Sequence, residues 1–504
     1  MEEKLEKLKT LIAEVADINH SIALLTWDQQ VYMPSGGAEE RGCMLGTLEK
    51  IAHEKFTSDE VGSLLEELKE RLPELDPDGE DFRIITVTIK DFEKVSCVPT
   101  HFVEEKAHVV AKAQSAWMKA RGNSDFSALL PHLERIVELS QQYVTFFPTA
   151  NHPYDVLVDQ FEPGMKTEVL KSLFDTLRPP QIELIRAIGQ CQQIDDGFLH
   201  QDYDEEKMWE LSRKVAGDFG YDWKRGRQDP TAHPFCQSMG PDDVRITSRW
   251  VPKMPFALLF GTMHETGHAL YEQGVGRTWS RTALEGGTSL GMHESQSRLW
   301  ENLVGRSRVF WECYYPIVQA SFPAQLSNVT LDQFFRAINK VSPGNIRIEA
   351  DEVTYNLHIM LRMELEIGLV DGYIIAKELP EIWNEKMREY LGIVPPDDAR
   401  GVLQDIHWSG GMLGYFPTYA LGNLISAQLW ERFKKVNPEL EDQIRAGDFS
   451  SLLSWLRVKI HQYGRKYESP ELVKRVTQSD IDPNAYIHYL ESKYSEIYGL
   501  LEYP

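Results

Sequence analysis

The sequence predicts a mainly α-helical protein with a small β-sheet. Three observations predict it. Apolar residues recur at steps of three and four over long stretches. Only two short segments are β-branched enough to read as strands. No Ser/Gly-rich tract or internal repeat divides the chain. The expectation is one large domain over residues 1–504, with an N-terminal helical part to about residue 200. A central core follows over about residues 201–425, and a C-terminal helical part over about 426–504 closes the chain.

The elements follow in order. Leu5, Leu8, Leu11, Ile12, Val15, Ile18, Ile22 and Leu25 mark one face of a long first helix, which Pro34 and Gly36-Gly37 end. Thr57 with Glu60 reads as a capping box for the next helix, through Leu64, Leu65 and Leu68. Another helix starts at Thr100, after Pro99, and runs through Trp117. Leu129–Tyr143, Lys166–Ile188 and Glu205–Phe219 carry the same period. The two strand candidates are Asp243–Thr247 and Asn345–Ile348. From Glu352 onward the pattern is helical, broken at Pro395-Pro396, Pro438 and Pro470.

Composition narrows the function. The chain has 504 residues and a formal net charge of −24, which repels duplex nucleic acid and anionic membranes. No uncharged apolar run reaches the roughly 18 residues of a membrane span. The start, Met1-Glu2-Glu3-Lys4-Leu5, lacks the build of a signal peptide. The five cysteines are scattered, with no C-x-x-C, and read as reduced thiols of a cytoplasmic protein.

The chemistry concentrates at His264-Glu265-Thr266-Gly267-His268, inside a helical stretch from Phe256 to Tyr271. Two histidines four apart share one helix face, so both imidazoles reach one metal ion. Glu265 faces the same cleft and can take a proton from a water that the metal acidifies. A catalytic tetrahedral site needs a third protein ligand. Downstream, His293-Glu294-Ser295-Gln296 opens another helix. Glu294 is the expected ligand. His293 competes with it, but neighbouring side chains on a helix diverge by about 100°, so both cannot serve one ion.

Taken together, the motifs resemble the thermostable metallocarboxypeptidase family, the carboxypeptidase Taq family. Six patterns carry the resemblance, in order: His233-Pro234-Phe235; Asp243 to Thr247; His264 to His268; His293 to Gln296; Ile346 to Asp351; and Gly401 to Trp408. Trp27-Asp28 and Met33-Pro34 extend the likeness towards the N-terminus. The resemblance implies a helical zincin-type fold with a deep groove, usually a homodimer. It implies a zinc enzyme, often accepting cobalt, that removes single C-terminal residues with broad tolerance.

A carboxypeptidase must hold a free α-carboxylate, and a guanidinium fork matches two carboxylate oxygens. Arg347 is expected to receive it, with Arg245 limiting how substrate fits and His233 on a loop over the groove. The Gly-rich run from Ser409 to Tyr419 follows His407. By the resemblance, Tyr419 or Tyr415 supports the oxyanion of the reaction and His407 binds substrate backbone. Asp351 and Asp405 are candidates to orient the metal-binding imidazoles.

Overall fold

The structure, a computed structural model, describes residues 2–500. The helices Glu2–Val31, Asp59–Lys69 and Glu80–Ser96 meet through Leu5, Leu8, Ile12, Leu65 and Ile85, a small core of their own. The helix periods of the sequence are realised closely: Glu205–Phe219 has the expected bounds, and Lys166–Ile188 becomes Thr167–Gly189. Ser58, not Thr57, caps the helix that starts at Asp59, accepting from the Val61 backbone N–H at 3.4 Å. Thr57 instead ends the preceding helix, with its hydroxyl on the His53 carbonyl. Both are capping types, and the one adjacent to the first helical turn takes the role.

The main core extends from Ala113 to Tyr498 in sequence and includes the fully buried Trp300, Trp311 and Trp383. Several ties hold the N-terminal helices to the rest of the chain, Arg83–Glu471 and Arg281–Asp17 among them. Arg465 grips Asp91 with both Nη atoms at 2.8 and 2.9 Å, and Lys94 meets Asp159 at 2.5 Å. Ile84 also packs with Val275, Trp279 and Leu284 in a separate apolar cluster.

The sheet has three strands, β1 (Gln228–Pro230), β2 (Cys236–Ser238) and β3 (Val244–Ser248), in the order β1-β3-β2. β3 runs parallel to β1 and antiparallel to β2. Val244 and Ile246 are buried while Arg245 points away, as strand alternation requires. Ser248 bonds Thr262 at 2.8 Å, which seats the end of β3 on the helix Pro255–Gly274.

The second strand candidate is not a strand. Residues Arg347–Glu349 form a 3₁₀ turn and Ile348 is 65% exposed. Among the described residues no strand pairs with it. The Gln404 side chain takes that place, accepting from the Arg347 N–H at 2.8 Å and donating to the Asn345 carbonyl at 2.9 Å. Among the described residues no helix is long and apolar enough to cross a membrane.

Candidate metal centre and active site

The helix Pro255–Gly274 presents His264 and His268 on one face, and Leu290–Arg298 presents Glu294 towards them. Each imidazole Nε2 lies 3.6 Å from Glu294 Oε2. Ligand atoms of the three residues all fall within 4.8 Å of one another. A tetrahedron with bonds of about 2.1 Å has an edge of roughly 3.4 Å, so two nitrogens and one carboxylate at these spacings fit a zinc ion. Close helix contact makes this possible. A Cβ on Gly267 would sit 2.5 Å from the Ser297 Cα, and one on Gly422 would sit 2.5 Å from the Glu294 Cγ. Only glycine lets those backbones approach so far.

The histidines are held from behind. His264 Nδ1 lies 2.9 Å from Glu301 Oε2. His268 Nδ1 lies 3.1 Å from His293 Nδ1, and His293 Nε2 lies 2.6 Å from Glu272 Oε1. His293 therefore faces the back of a candidate ligand, not the cluster of donor atoms. Arg298 donates from Nε to Glu294 Oε1 at 2.7 Å and reaches Glu301 at 3.4 Å. Glu301 stands in a π-helical turn, Leu299–Val304, that continues the helix carrying Glu294.

Burial and charge set the protonation of this cluster. Burial raises Glu294, but Arg298, His264 and His268 outweigh it and hold the carboxyl well below its usual range. Glu301 is likewise opposed by burial, yet His264 and Arg298 bring it down to about 2. Burial pushes Glu265 up to about 7, with Glu294 and Glu301 adding to the rise and His264 and Arg298 opposing it. Burial, together with the neighbouring His264 and His293, lowers His268 to about 4 despite the pull of Glu294.

Glu265 borders two adjoining spaces. A cavity of about 470 Å³ lies over the histidines, lined also by β2, Tyr415 and Tyr419. A groove of about 750 Å³ leads from His264, Glu265 and Glu294 past Arg347, Tyr419 and His233. His407 does not border either space. It stands behind Tyr419, with Nε2 3.3 Å from the hydroxyl. Burial lowers His407 to about 4, so it is neutral at pH 7, and burial holds both tyrosines above their ordinary value, as protonated donors.

Arg347 is buried at the groove wall. Its Nε and Nη2 donate to Asp405 Oδ1 at 3.1 and 2.9 Å, and Nη1 donates to the Tyr355 hydroxyl at 2.9 Å. Arg362 shares the same carboxylate at 2.6 Å. Arg245 lies apart from both spaces. It pairs with Asp243 through two bonds and stacks 4.3 Å from the centre of the Trp27 ring. Asp351 and Asp405 do not touch the imidazoles. Asp351 accepts backbone N–H groups of Ser342, Val353 and Thr354, and Asp405 is taken by the arginines.

Glu301, Arg298 and Glu272 were not read from the sequence. Glu301 and Arg298 lie seven and four residues beyond Glu294, and Glu272 lies four beyond His268. That spacing on one helix face was the available signal.

The sequence model of the carboxypeptidase Taq (M32) metallopeptidases matches residues 7–494. Carboxypeptidase 1 of Bacillus subtilis is 38% identical over 97% of this chain and 98% of its own length. Thermostable carboxypeptidase 1 of Thermus thermophilus is 39% identical over 95% of each chain. The crystal structure of an M32 carboxypeptidase from Deinococcus radiodurans superposes with a TM-score of 0.96 at 39% identity, covering 99% of this chain and 100% of that one. A resemblance spanning both chains end to end, on top of a convergent His-His-Glu cluster, places the protein in the carboxypeptidase Taq family of metallopeptidases, as a carboxypeptidase that hydrolyses peptide bonds.

Proposed function

We propose that this chain is a single catalytic domain that removes one residue at a time from free peptide C-termini, with broad tolerance, using one zinc ion held by His264, His268 and Glu294. The observation that carries it is the convergence of those three side chains beside Glu265, at the junction of the cavity and the groove. Bound there, zinc would supply Lewis-acid polarisation of the scissile carbonyl and acidify the attacking water. Cobalt suits the same nitrogen and oxygen donors.

Glu265 takes the proton of the attacking water and passes it to the leaving amine. The Tyr419 and Tyr415 hydroxyls line the cavity and donate to the developing oxyanion, which is worth about 2.7–4 kcal/mol per well-placed donor. His407, behind Tyr419, fixes that hydroxyl and acts on substrate only through it. Arg347 receives the α-carboxylate. Its three bonds leave two of the roughly five N–H groups of a guanidinium free, and two arginines share the single charge of Asp405, so net positive charge remains. His233, which lines the groove, bounds how far a peptide extends, whereas Arg245 lies outside it, on Asp243 and Trp27. The enzyme works as a cytoplasmic homodimer, without nucleic acid or membrane partners.

Release of amino acids from a panel of peptides, with and without a chelator, tests this reading. Sequential single residues, lost with chelator and restored by zinc, are expected. C-terminal amidation should block release. Internal cleavage of amidated peptides at undiminished rate would replace the reading with an endopeptidase.

A further inference from the structure

The cations of the groove are matched to acids, with one exception. Lys340 meets Asp196 at 2.8 Å, Arg306 and Arg298 reach Glu301 at 3.5 and 3.4 Å, and Arg347 meets Asp405. Arg249 borders the same groove as His264 and Glu265, is exposed, and makes no side-chain hydrogen bond or ion pair among the described residues. Its backbone is not loose. It is the residue after β3, and Ser248 before it is tied three ways: to Thr262, to the Gln228 amide at 2.9 Å, and through its carbonyl to the Thr231 N–H at 3.0 Å. Thr262 lies two residues before His264 on the same helix. The strand end thus fixes the point from which an unpaired guanidinium borders the groove that the metal motif also lines.

A guanidinium recognises carboxylates better than any other group a peptide offers. The peptide has two sources, its C-terminus and its acidic side chains. Arg347 is buried and suits the invariant carboxylate. Arg249 is exposed at the rim and suits a variable one. We propose that Arg249 is a specificity-determining residue that selects peptides with an acidic side chain near the scissile bond. This rests on the carboxypeptidase reading. The preference opposes the field of the whole chain, whose net charge is −24, and also opposes Glu265 and Glu349, groove acids that make no side-chain hydrogen bond or ion pair among the described residues. It must therefore follow Arg249 itself.

The test compares N-blocked tripeptides with the same C-terminal residue and Glu or Gln at the middle or first position. The zinc-loaded enzyme should favour Glu at one position by about two- to five-fold in kcat/KM, the scale of an exposed ion pair. That ratio should fall towards one between about 0.01 M and about 1 M salt. Arg249→Ala should bring it to one, Arg249→Glu should invert it, and Arg249→Lys should retain part, with circular dichroism and zinc content checking that each variant is folded and loaded. A Glu/Gln ratio unchanged in Arg249→Glu overturns the proposal. So does an Arg249→Ala variant that keeps the ratio but no longer distinguishes free from amidated C-termini, because Arg249 would then hold the terminal carboxylate. Failure of the parent reading looks different: no peptide of the panel would lose its C-terminal residue.

Discussion

His268 turns its Nδ1 to the Nδ1 of His293, 3.1 Å away, and His293 turns its other nitrogen to Glu272. With Nε2 aimed at the Glu294 carboxylate, the His268 ring is fixed from both ends. His293→Ala should therefore weaken zinc binding about 10–100-fold without removing a ligand, the usual effect of losing an orienting partner. Zinc affinity measured by chelator competition checks this. An unchanged affinity would show that the ring needs no such support.

Glu294→Ala should lose the metal, because the two histidines alone leave the site one protein ligand short. Glu265→Gln should keep the metal and lower kcat by about 10²–10⁴, the range of general acid–base assistance. Metal content and kcat measured on the same preparations separate the two roles. Stoichiometric zinc in the Glu294 variant would contradict the assignment.

Asp405 is the shared counter-charge of two buried guanidiniums, so Asp405→Asn leaves both uncompensated and should cost about 3–5 kcal/mol of stability. Arg347→Ala should cost less, since Arg362 still pairs with Asp405. It should nonetheless cut kcat/KM on free-acid peptides, narrow their advantage over amidated ones and leave zinc content unchanged. Denaturant unfolding and kinetics together check the order. Equal destabilisation by the two substitutions would argue against a shared charge.

Burial raises Glu162 from its ordinary 4.5 to about 7, while the Gly291 N–H and the hydroxyls of Ser469 and Ser289 pull it down. The folded chain thus holds a proton that the unfolded chain releases between about pH 4.5 and 7. Stability from this group is present below that window and is lost as pH rises through it, by about 1.4 kcal/mol per pH unit. Glu162→Gln should match the parent near pH 4.5 and exceed it at pH 8, read as the difference in unfolding free energy at each pH. A gap that does not grow with pH would refute the raised value.

The single-domain reading predicts that limited proteolysis yields no pair of stable halves. The weakest point is the N-terminal bundle with its separate small core. Arg465→Ala, which breaks the two bonds to Asp91, should expose that bundle to protease before the rest. A stable, active fragment lacking it would divide the chain into two domains.

The metal motif was legible because its two histidines are local: four residues on a helix define a face. The convergence of Glu294 on the two histidines could be anticipated because metal chemistry asks for a third donor and few candidates followed. What lay across the fold was not. The Arg347–Asp405 pair spans 58 residues, and Arg362–Asp405 spans 43. No periodicity connects them. Asn345–Ile348 misled for a related reason. Its β-branched residues favour extended backbone, but a strand is defined by its partner, and here the partner is the single side chain of Gln404.

The bond from Arg298 Nε to Glu294 Oε1 decides more than the charge of that carboxylate. Arg298 takes Oε1, and Oε2, which the Ser297 hydroxyl also reaches at 3.2 Å, is the oxygen facing both histidines. A carboxylate so restrained gives one short contact instead of two. With an ion bound by these three residues, the pocket would discriminate by coordination number. An ion content with four neighbours at about 2.0–2.1 Å is satisfied by three side chains and a solvent molecule. Calcium, which collects six to eight oxygens at about 2.3–2.6 Å and often grips a carboxylate by both, finds too few. An arginine outside the donor set would thus help to choose which ion is kept.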